Sequence, residues 1–144
     1  MNKYLMNEVV RMNRNIQHIR IKGNKGEEEV TALFDTGASR TLVRGDVAKR
    51  IGDAVKLPMP RKIVLGDGET KIEINEVLTL VIILDGYIIS CDADVIEKLA
   101  YDVIIGIDTM REWGIVLNPR KEEIVTDEQL IERDEDTLEF YDEE

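Results

Sequence analysis

Cysteine and histidine are scarce in this sequence, and each shortage removes a class of protein. Cys91 is the only cysteine in 144 residues, which excludes a disulfide framework and a zinc site built from thiolates. His18 is the only histidine, and no nucleophile motif surrounds it, which argues against a Ser-His or Cys-His catalytic pair. The many acids have no Cys or His companions at ligand spacing, so we expect neither a metal nor another cofactor.

Aromatic residues and long apolar runs are also few. Aromatics make up 5% of a chain that is 43% hydrophobic, so the core must be built mainly from Ile, Val and Leu, which favours β-sheet. The longest uninterrupted apolar run, residues 80–84, has the length of a strand. The first 15 residues are broken by charges, which argues against a secretory or membrane-spanning segment. Together with the single cysteine, this predicts a cytoplasmic protein without a membrane partner.

The negative charge is concentrated at one end of the chain. Residues 126–144 contain ten acids and one base, a net charge of -9, whereas residues 1–125 contain 20 acids and 18 bases, a net charge of -2. No basic patch that could neutralise phosphates stands out, so we do not expect nucleic-acid binding. The acidic tail has the composition of a solvated segment, although its few apolar residues leave a docking role open.

The apolar pattern predicts one domain of short strands with very little helix. Residues 1–16 have rough helical spacing, which indicates a short helix or a flexible arm, and strands begin at Ile19. Asp67-Gly68 and Asp85-Gly86 are typical of type I′ hairpin turns. Two short helices are expected, one capped by Asp46 and ended by Gly52, the other running from Asp108 to about Gly114. Final strands are predicted at residues 115–117 and 124–125, which gives an all-β barrel-like or sandwich domain.

Residues 33–39, Leu-Phe-Asp-Thr-Gly-Ala-Ser, take an apolar strand directly into an acid. Taken alone, Asp35-Thr36-Gly37 is also an ordinary turn sequence, because Asp and Gly are favoured in turns for backbone reasons. Peptide hydrolysis needs one group that removes a proton from water and another that protonates the carbonyl oxygen, and two carboxylates sharing one proton can do both. Asp35 is the candidate for such an acid.

Two segments resemble the signatures of retropepsin-type aspartic proteases. Residues 32–43, ALFDTGASRTLV, are similar to the active-site segment, and residues 102–110, DVIIGIDTM, are similar to the second signature. The order and spacing also match, so the resemblance covers roughly residues 18–125. It is closest to the cellular and microbial branch, which includes the protease domain of DNA-damage-inducible proteins. The resemblance implies an all-β, closed-barrel-like retropepsin fold with one or two short helices.

The resemblance also implies a two-fold homodimer. The chain has one Asp-Thr-Gly and about half the length of a two-lobed aspartic protease, so Asp35 is expected to face its own copy across the dimer axis. In the family Thr36 hydrogen-bonds across that axis, and Gly37 leaves room for the substrate backbone. Asp108 lacks a following Gly and is interpreted as a helix cap rather than a second catalytic acid.

The expected substrate is an extended polypeptide bound between a groove and a flap. The flap corresponds to residues 63–74 and would close over the substrate. The resemblance assigns substrate binding to residues of the groove and of the flap tip: Leu33, Ala38, Ser39, Ile105, Gly66, Asp67 and Gly68. The predicted flap tip contains an acid, where the viral enzymes commonly have apolar residues. We therefore do not expect the substrate preferences of the viral enzymes to apply to this chain.

These observations predict an aspartic endopeptidase, with Asp35, Thr36 and Gly37 as catalytic residues. The domain boundaries are an N-terminal arm or short helix at 1–17, a protease domain at 18–125 and an acidic tail at 126–144. Two alternatives remain open from sequence. One is a catalytically idle retropepsin-like domain that dimerises or binds peptides, since a fold does not guarantee activity. The other is an unrelated β-domain in which Asp-Thr-Gly forms a chance turn.

Overall fold

Short strands separated by tight turns dominate the chain, as its Ile- and Val-rich composition favours. The computed structural model describes residues 14–64, 68–118 and 123–125. The helices within these residues are α1 (Gly45–Ile51) and α2 (Ile107–Trp113). The strands are β1 (Arg14–Lys22), β2 (Glu27–Asp35), β3 (Leu42–Arg44), β4 (Val55–Val64), β5 (Lys71–Leu84), β6 (Tyr87–Ile96), β7 (Val103–Ile105), β8 (Val116–Asn118) and β9 (Glu123–Val125).

Six strands close into a barrel. They are hydrogen-bonded in the order β1, β2, β7, β3, β6 and β5, and β5 returns to β1 through pairs such as Ile21 with Ile82. β4 lies outside the closed circle and, among the described strands, pairs only with β5, while β8 and β9 form a separate two-stranded sheet. The closing contact between β1 and β5 is short, covering residues 20–22 of β1, and barrel closure of this kind is one way in which β-proteins limit edge-to-edge association. The predicted all-β, closed-barrel-like fold with two short helices is confirmed.

Alternation along the strands separates two apolar clusters. In β2, Val30, Ala32 and Phe34 point into the barrel, so the intervening residues must point to the opposite face. The barrel core continues through alternate positions of β5, β6 and β7 and includes apolar residues of α1 and α2. We call this set the main core.

A second apolar cluster lies on the outer face of the barrel. Leu42 of β3 and Ile96 of β6 are buried there against Ile74 of β5, and Ile63 and Ile72 pack around them. Since Ile63 belongs to β4 and Ile72 to β5, the long β4–β5 ribbon folds over this side of the barrel. We call this set the outer cluster; it fixes the base of the ribbon above the barrel surface.

Two predicted features are confirmed: the turn at Asp85-Gly86 and the end of the first helix at Gly52. Leu84 pairs with Tyr87, and both residues between them have positive φ, 50° at Asp85 and 83° at Gly86, as a type I′ turn requires. Val64 pairs with Lys71 across the other predicted hairpin, whose residues 65–67 lie outside the described part of the chain. α1 ends at Ile51 with Gly52 as its C-cap.

Two local predictions differ from the structure. β1 begins at Arg14 instead of Ile19, so residues 14–16 are strand where the spacing indicated a helix or arm. The N-cap of α1 is Arg44, and Asp46 lies inside the first turn, where its carboxylate accepts hydrogen bonds from the Val47 N–H and from the Arg44 side chain. The rest of the predicted N-terminal arm and the acidic tail at 126–144 lie outside the described residues.

Candidate active site

Asp35 is the last residue of β2 and lies on the outer face of the barrel. Phe34 is fully buried in the main core, so alternation turns Leu33 and Asp35 the other way. Asp35 as a whole residue is nevertheless only 5% exposed. A strand end therefore carries a carboxylate that is mostly withdrawn from water and lies outside the apolar core.

The loop after Asp35 folds back on that acid. The Gly37 N–H donates a hydrogen bond of 2.8 Å to Asp35 Oδ1, and the Ala38 N–H donates one of 3.0 Å to the Asp35 backbone carbonyl. These two bonds fix the rotamer of the carboxylate and the path of the turn. Thr36 is half-buried and Gly37 is exposed. The predicted catalytic residues thus form one compact turn around the Asp35 carboxylate.

β7 and α2 brace this loop through Gly106. The Ile107 N–H donates to the Ala38 carbonyl at 2.8 Å. A Cβ atom on Gly106 would lie 2.5 Å from the Arg40 carbonyl oxygen and 2.8 Å from that of Ala38. Since both neighbours are backbone atoms that cannot swing aside, only glycine allows the second signature to approach the Asp35 loop this closely.

Asp108 holds the same loop from the first turn of α2. Its carboxylate accepts hydrogen bonds from the Thr41 N–H at 3.2 Å, the Thr41 hydroxyl at 2.9 Å and the Thr109 N–H at 2.8 Å. The N-cap of α2 is Gly106 and no side chain caps the helix, so the interpretation of Asp108 as a helix cap is wrong. The Thr41 hydroxyl also accepts the Gly106 N–H at 3.0 Å and lies 2.6 Å from the Thr109 hydroxyl.

A buried ion cluster lies beside the loop and was not anticipated from sequence. Asp94 of β6 is 0% exposed. Arg40 donates to it through Nε at 3.2 Å and Nη2 at 3.0 Å, and Arg61 of β4 donates through Nη1 to both carboxylate oxygens at 3.1 Å. The hydrogen bond to Asp94 raises the pKa of Arg40 above its ordinary value. The signal in the sequence was weak, because Asp94 alternates with apolar residues as any solvent-facing acid does.

The predicted groove residues are not all brought to one surface. Leu33 is buried on the outer face, Ala38 is half-buried and Ser39 is exposed in the loop. Ile105 is fully buried in the main core, whereas its neighbour Ile104 faces the outer cluster. Gly68 is exposed with a φ of 78°, and the other two predicted tip residues, Gly66 and Asp67, lie outside the described residues.

Other chemistry is not evident in the part of the chain that the structure describes. An open cleft of about 740 Å³ lies between β4, β5 and β6, but its lining mixes Lys56 and Lys98 with acids, and no residue of the Asp35 loop contributes to it. Residues 14–64, 68–118 and 123–125 contain no group of three potential metal ligands. Within the same ranges no helix has the length and hydropathy to cross a bilayer.

The family model for aspartyl proteases matches residues 10–118. The chain therefore belongs to the aspartyl protease family. No curated protein matches the chain. The retroviral protease-like domain of Ddi1 from Leishmania major is similar in structure, with a TM-score of 0.56 and 20% identity, covering 86% of this chain and 95% of that one. A Legionella pneumophila protein of unknown function aligns with a TM-score of 0.40 and 12% identity over 65% of this chain and 84% of its own.

These comparisons confirm the predicted aspartic protease family and the predicted retropepsin-like fold. The family and the barrel support a protease that acts on polypeptide. At 20% identity, the likeness to the Ddi1 domain shows the fold alone.

Proposed function

We propose that the chain is a homodimeric aspartic endopeptidase in which each subunit supplies one Asp35 carboxylate to a catalytic pair. Two adjacent carboxylates share one proton, because like charges at close range disfavour double ionisation. The ionised acid takes a proton from water, whose oxygen bonds to the peptide carbonyl carbon. The neutral acid protonates the carbonyl oxygen. Collapse of the tetrahedral intermediate then breaks the C–N bond as the leaving nitrogen takes up a proton.

The position of Asp35 is the observation that carries this proposal. The acid ends a barrel strand on the outer face, and the Gly37 N–H holds one carboxylate oxygen at 2.8 Å. Gly106 and Asp108 hold the rest of the loop, so the acid belongs to a rigid support. Such support is what a catalytic group needs in order to keep its geometry.

A second subunit is the simplest source of the second acid. The sequence contains a single Asp-Thr-Gly, and the Asp108 carboxylate is already engaged with Thr41 and Thr109. Ile16 of β1 pairs with Leu33 and is 53% exposed, which leaves an apolar side chain near the candidate site for a second copy to cover. A two-fold axis would bring the same loop from each subunit together.

The β4–β5 ribbon is the proposed flap. Its strands pair from Val55 with Val77 to Val64 with Lys71, and its base is packed on the barrel through the outer cluster. A ribbon that closes over an extended peptide excludes water and supplies strand-like hydrogen bonds. We propose that the protease domain runs from the start of β1 at Arg14, instead of from residue 18, to residue 125, and that the acidic tail at 126–144 follows it. A cytoplasmic location remains a prediction.

Cleavage of a mixed-sequence peptide library between about pH 4 and 7 tests the proposal. We expect the wild type to cleave and Asp35→Asn to lose at least about a thousandfold in rate, because it removes the ionisable acid. A statine-type transition-state mimic should block the wild type. Asp92→Asn is the matched control, since it removes an exposed carboxylate that bonds only to Thr79 among the described residues. A folded dimer that cleaves nothing would instead favour an idle dimerisation or peptide-binding module.

A further inference from the structure

Arg61 presents an unused binding edge beside the candidate active site. Of its guanidinium nitrogens, only Nη1 donates to Asp94, whereas Arg40 uses both Nε and Nη2 for that acid. Within the described part of the chain, the Nε and Nη2 edge of Arg61 therefore has no acceptor. This edge is the planar fork that binds a carboxylate through two parallel hydrogen bonds.

The ion cluster fixes the Arg61 guanidinium, and the Arg61 side chain stays partly exposed. Asp94 is fully buried, and its backbone N–H donates to the Thr41 carbonyl at 2.9 Å, so the anchor is part of the barrel wall. The side chains of Arg61 and Arg40 remain 36% and 34% exposed. Two guanidinium groups contact one carboxylate, which leaves one positive charge in excess. Asp108 and Asp92 also lie close enough to act on Arg40, and their negative charges offset part of this excess.

The register of the barrel places the cluster on the same face as Asp35. Leu33 of β2 pairs with Ile104 of β7, Ile104 pairs with Leu42 of β3, and Leu42 pairs with Asp94 of β6. Leu33 and Asp94 are thus separated by three strand spacings, or about 14 Å. An extended peptide advances about 3.3 Å per residue, and an arginine reaches several ångströms back from its strand. A substrate that runs across these strands from the Asp35 loop would place a side chain two to four residues from the cleaved bond within reach of the fork.

We propose that Arg61 is a specificity-determining residue that binds an aspartate or glutamate side chain of the substrate, two to four residues from the cleaved bond. This inference rests on the proposed endopeptidase function and adds a substrate class to it. Asp94 and Arg40 are positioning residues that hold the guanidinium in place. In the dimer, the two-fold axis presents one such fork on each side of the catalytic pair.

Peptide pairs that differ only in Glu or Gln at one position test the inference with the full-length chain. With the cleaved bond located in a neutral parent peptide, Glu is placed in turn at each position two to four residues away on either side. We expect the wild-type kcat/KM to be about five- to tenfold higher for Glu than for Gln at one of these positions. The ratio should fall toward one in Arg61→Gln. Arg61→Lys keeps the charge without the fork and should give an intermediate ratio.

Arg20→Gln is the matched control, because Arg20 is an exposed arginine of β1 that pairs with Glu27 at the far end of that strand. Its Glu-to-Gln ratio should equal that of the wild type. If Arg61→Gln does not fold, two other measurements test the inference: the Glu-to-Gln ratio of Arg61→Lys and the salt dependence of the wild-type ratio. The wild-type ratio should fall as salt is added, because salt screens a partly exposed ion pair. A wild-type ratio of one at every position overturns the inference, as does a ratio that survives in Arg61→Gln.

Equilibrium binding of the same peptides to Asp35→Asn separates this inference from the proposed function. If Glu peptides bind more tightly than Gln peptides and this difference depends on Arg61, the inference is supported. If the wild type at the same time cleaves nothing, only the endopeptidase proposal fails. Cleavage without any Glu preference in rate or binding overturns the inference and leaves the endopeptidase proposal standing. Equal binding together with no cleavage overturns both.

Discussion

Gly106 is the residue on which the support of the Asp35 loop depends most directly. An added methyl group would meet two carbonyl oxygens of that loop at 2.5 and 2.8 Å, well inside contact distance. We expect Gly106→Ala to lower the free energy of unfolding by about 3 kcal/mol or more, because overpacking against fixed backbone is costly. Denaturant titration measures this change.

Gly26 provides the matched control for that substitution. A Cβ atom there would lie 3.5 Å from the Arg50 carbonyl oxygen, an ordinary contact. Gly26→Ala should therefore change the stability by less than about 1 kcal/mol. Equal effects of the two substitutions would show that the approach of β7 and α2 to the loop does not need a glycine.

Cys91 should behave as an inert core residue. Burial raises the pKa of its thiol from 9.0 to about 12, so the reactive thiolate is rare near neutral pH in the folded protein. At about pH 8 we expect a disulfide reagent to react at least about a hundredfold more slowly with the native protein than with protein in concentrated urea. Similar rates in the two states would contradict this account.

The same raised pKa gives a pH dependence of stability. Because the folded state keeps the thiol protonated, this contribution is complete below the unfolded pKa of 9.0 and is lost as the pH rises toward about 12. Replacing Cys91 by alanine should remove that part of the alkaline destabilisation.

Single residues show where sequence reasoning succeeds and where it fails. The position of Asp35 at the end of a buried strand was predictable because apolar residues lead directly into the acid, whereas its catalytic role stays a prediction. Ile105 was assigned to the groove, yet it is fully buried in the main core and Ile104 faces outward. Two adjacent apolar residues in a short strand carry no alternation signal, so the facing of each depends on tertiary packing.

Asp94 illustrates a different failure. A buried acid is recognised by its partners, and Arg40 and Arg61 are 54 and 33 residues away in sequence. Periodicity reports only the local environment along a strand, so it cannot reveal an ion cluster that forms between distant elements.

The base of the β4–β5 ribbon should depend on the outer cluster. Ile74 is fully buried where the ribbon meets Leu42 and Ile96. We expect Ile74→Ala to reduce the free energy of unfolding by about 2–4 kcal/mol, since it removes a buried branched side chain and leaves a cavity. Ile88→Ala is the matched control, because Ile88 is 68% exposed, and it should cost less than about 1 kcal/mol. Thermal or denaturant unfolding distinguishes them, and similar losses would contradict the role of the cluster.

Elements with strong local turn chemistry were predicted well. Asp85-Gly86 specifies its own positive φ angles, so the turn between β5 and β6 follows from two residues. The start of β1 was missed because its pattern is inverted there: Asn15 is buried and Ile16 is exposed. Asn15 accepts a hydrogen bond from Gln17, which helps to satisfy the buried amide. Because the polar residue is buried and the apolar residue is exposed, the usual alternation that identifies a strand is absent here.

At the scale of the whole molecule, the question is how many subunits form one active site. One chain forms a closed barrel with one Asp-Thr-Gly loop, and a pair of acids requires two such loops. Closure of the barrel was predictable from the order of the family signatures, but assembly depends on surfaces whose pairing no sequence pattern specifies. The claim that two subunits share the chemistry is therefore the central one to test.

Mixing wild type with Asp35→Asn tests that claim directly. The two proteins are co-refolded at varied ratios and constant total concentration, and peptide cleavage is measured after exchange is complete. If each active site needs an Asp35 from both subunits, mixed dimers are inactive and activity falls as the square of the wild-type fraction. Activity that falls only in proportion to the wild-type fraction would show that one chain carries a complete site, which contradicts the shared pair.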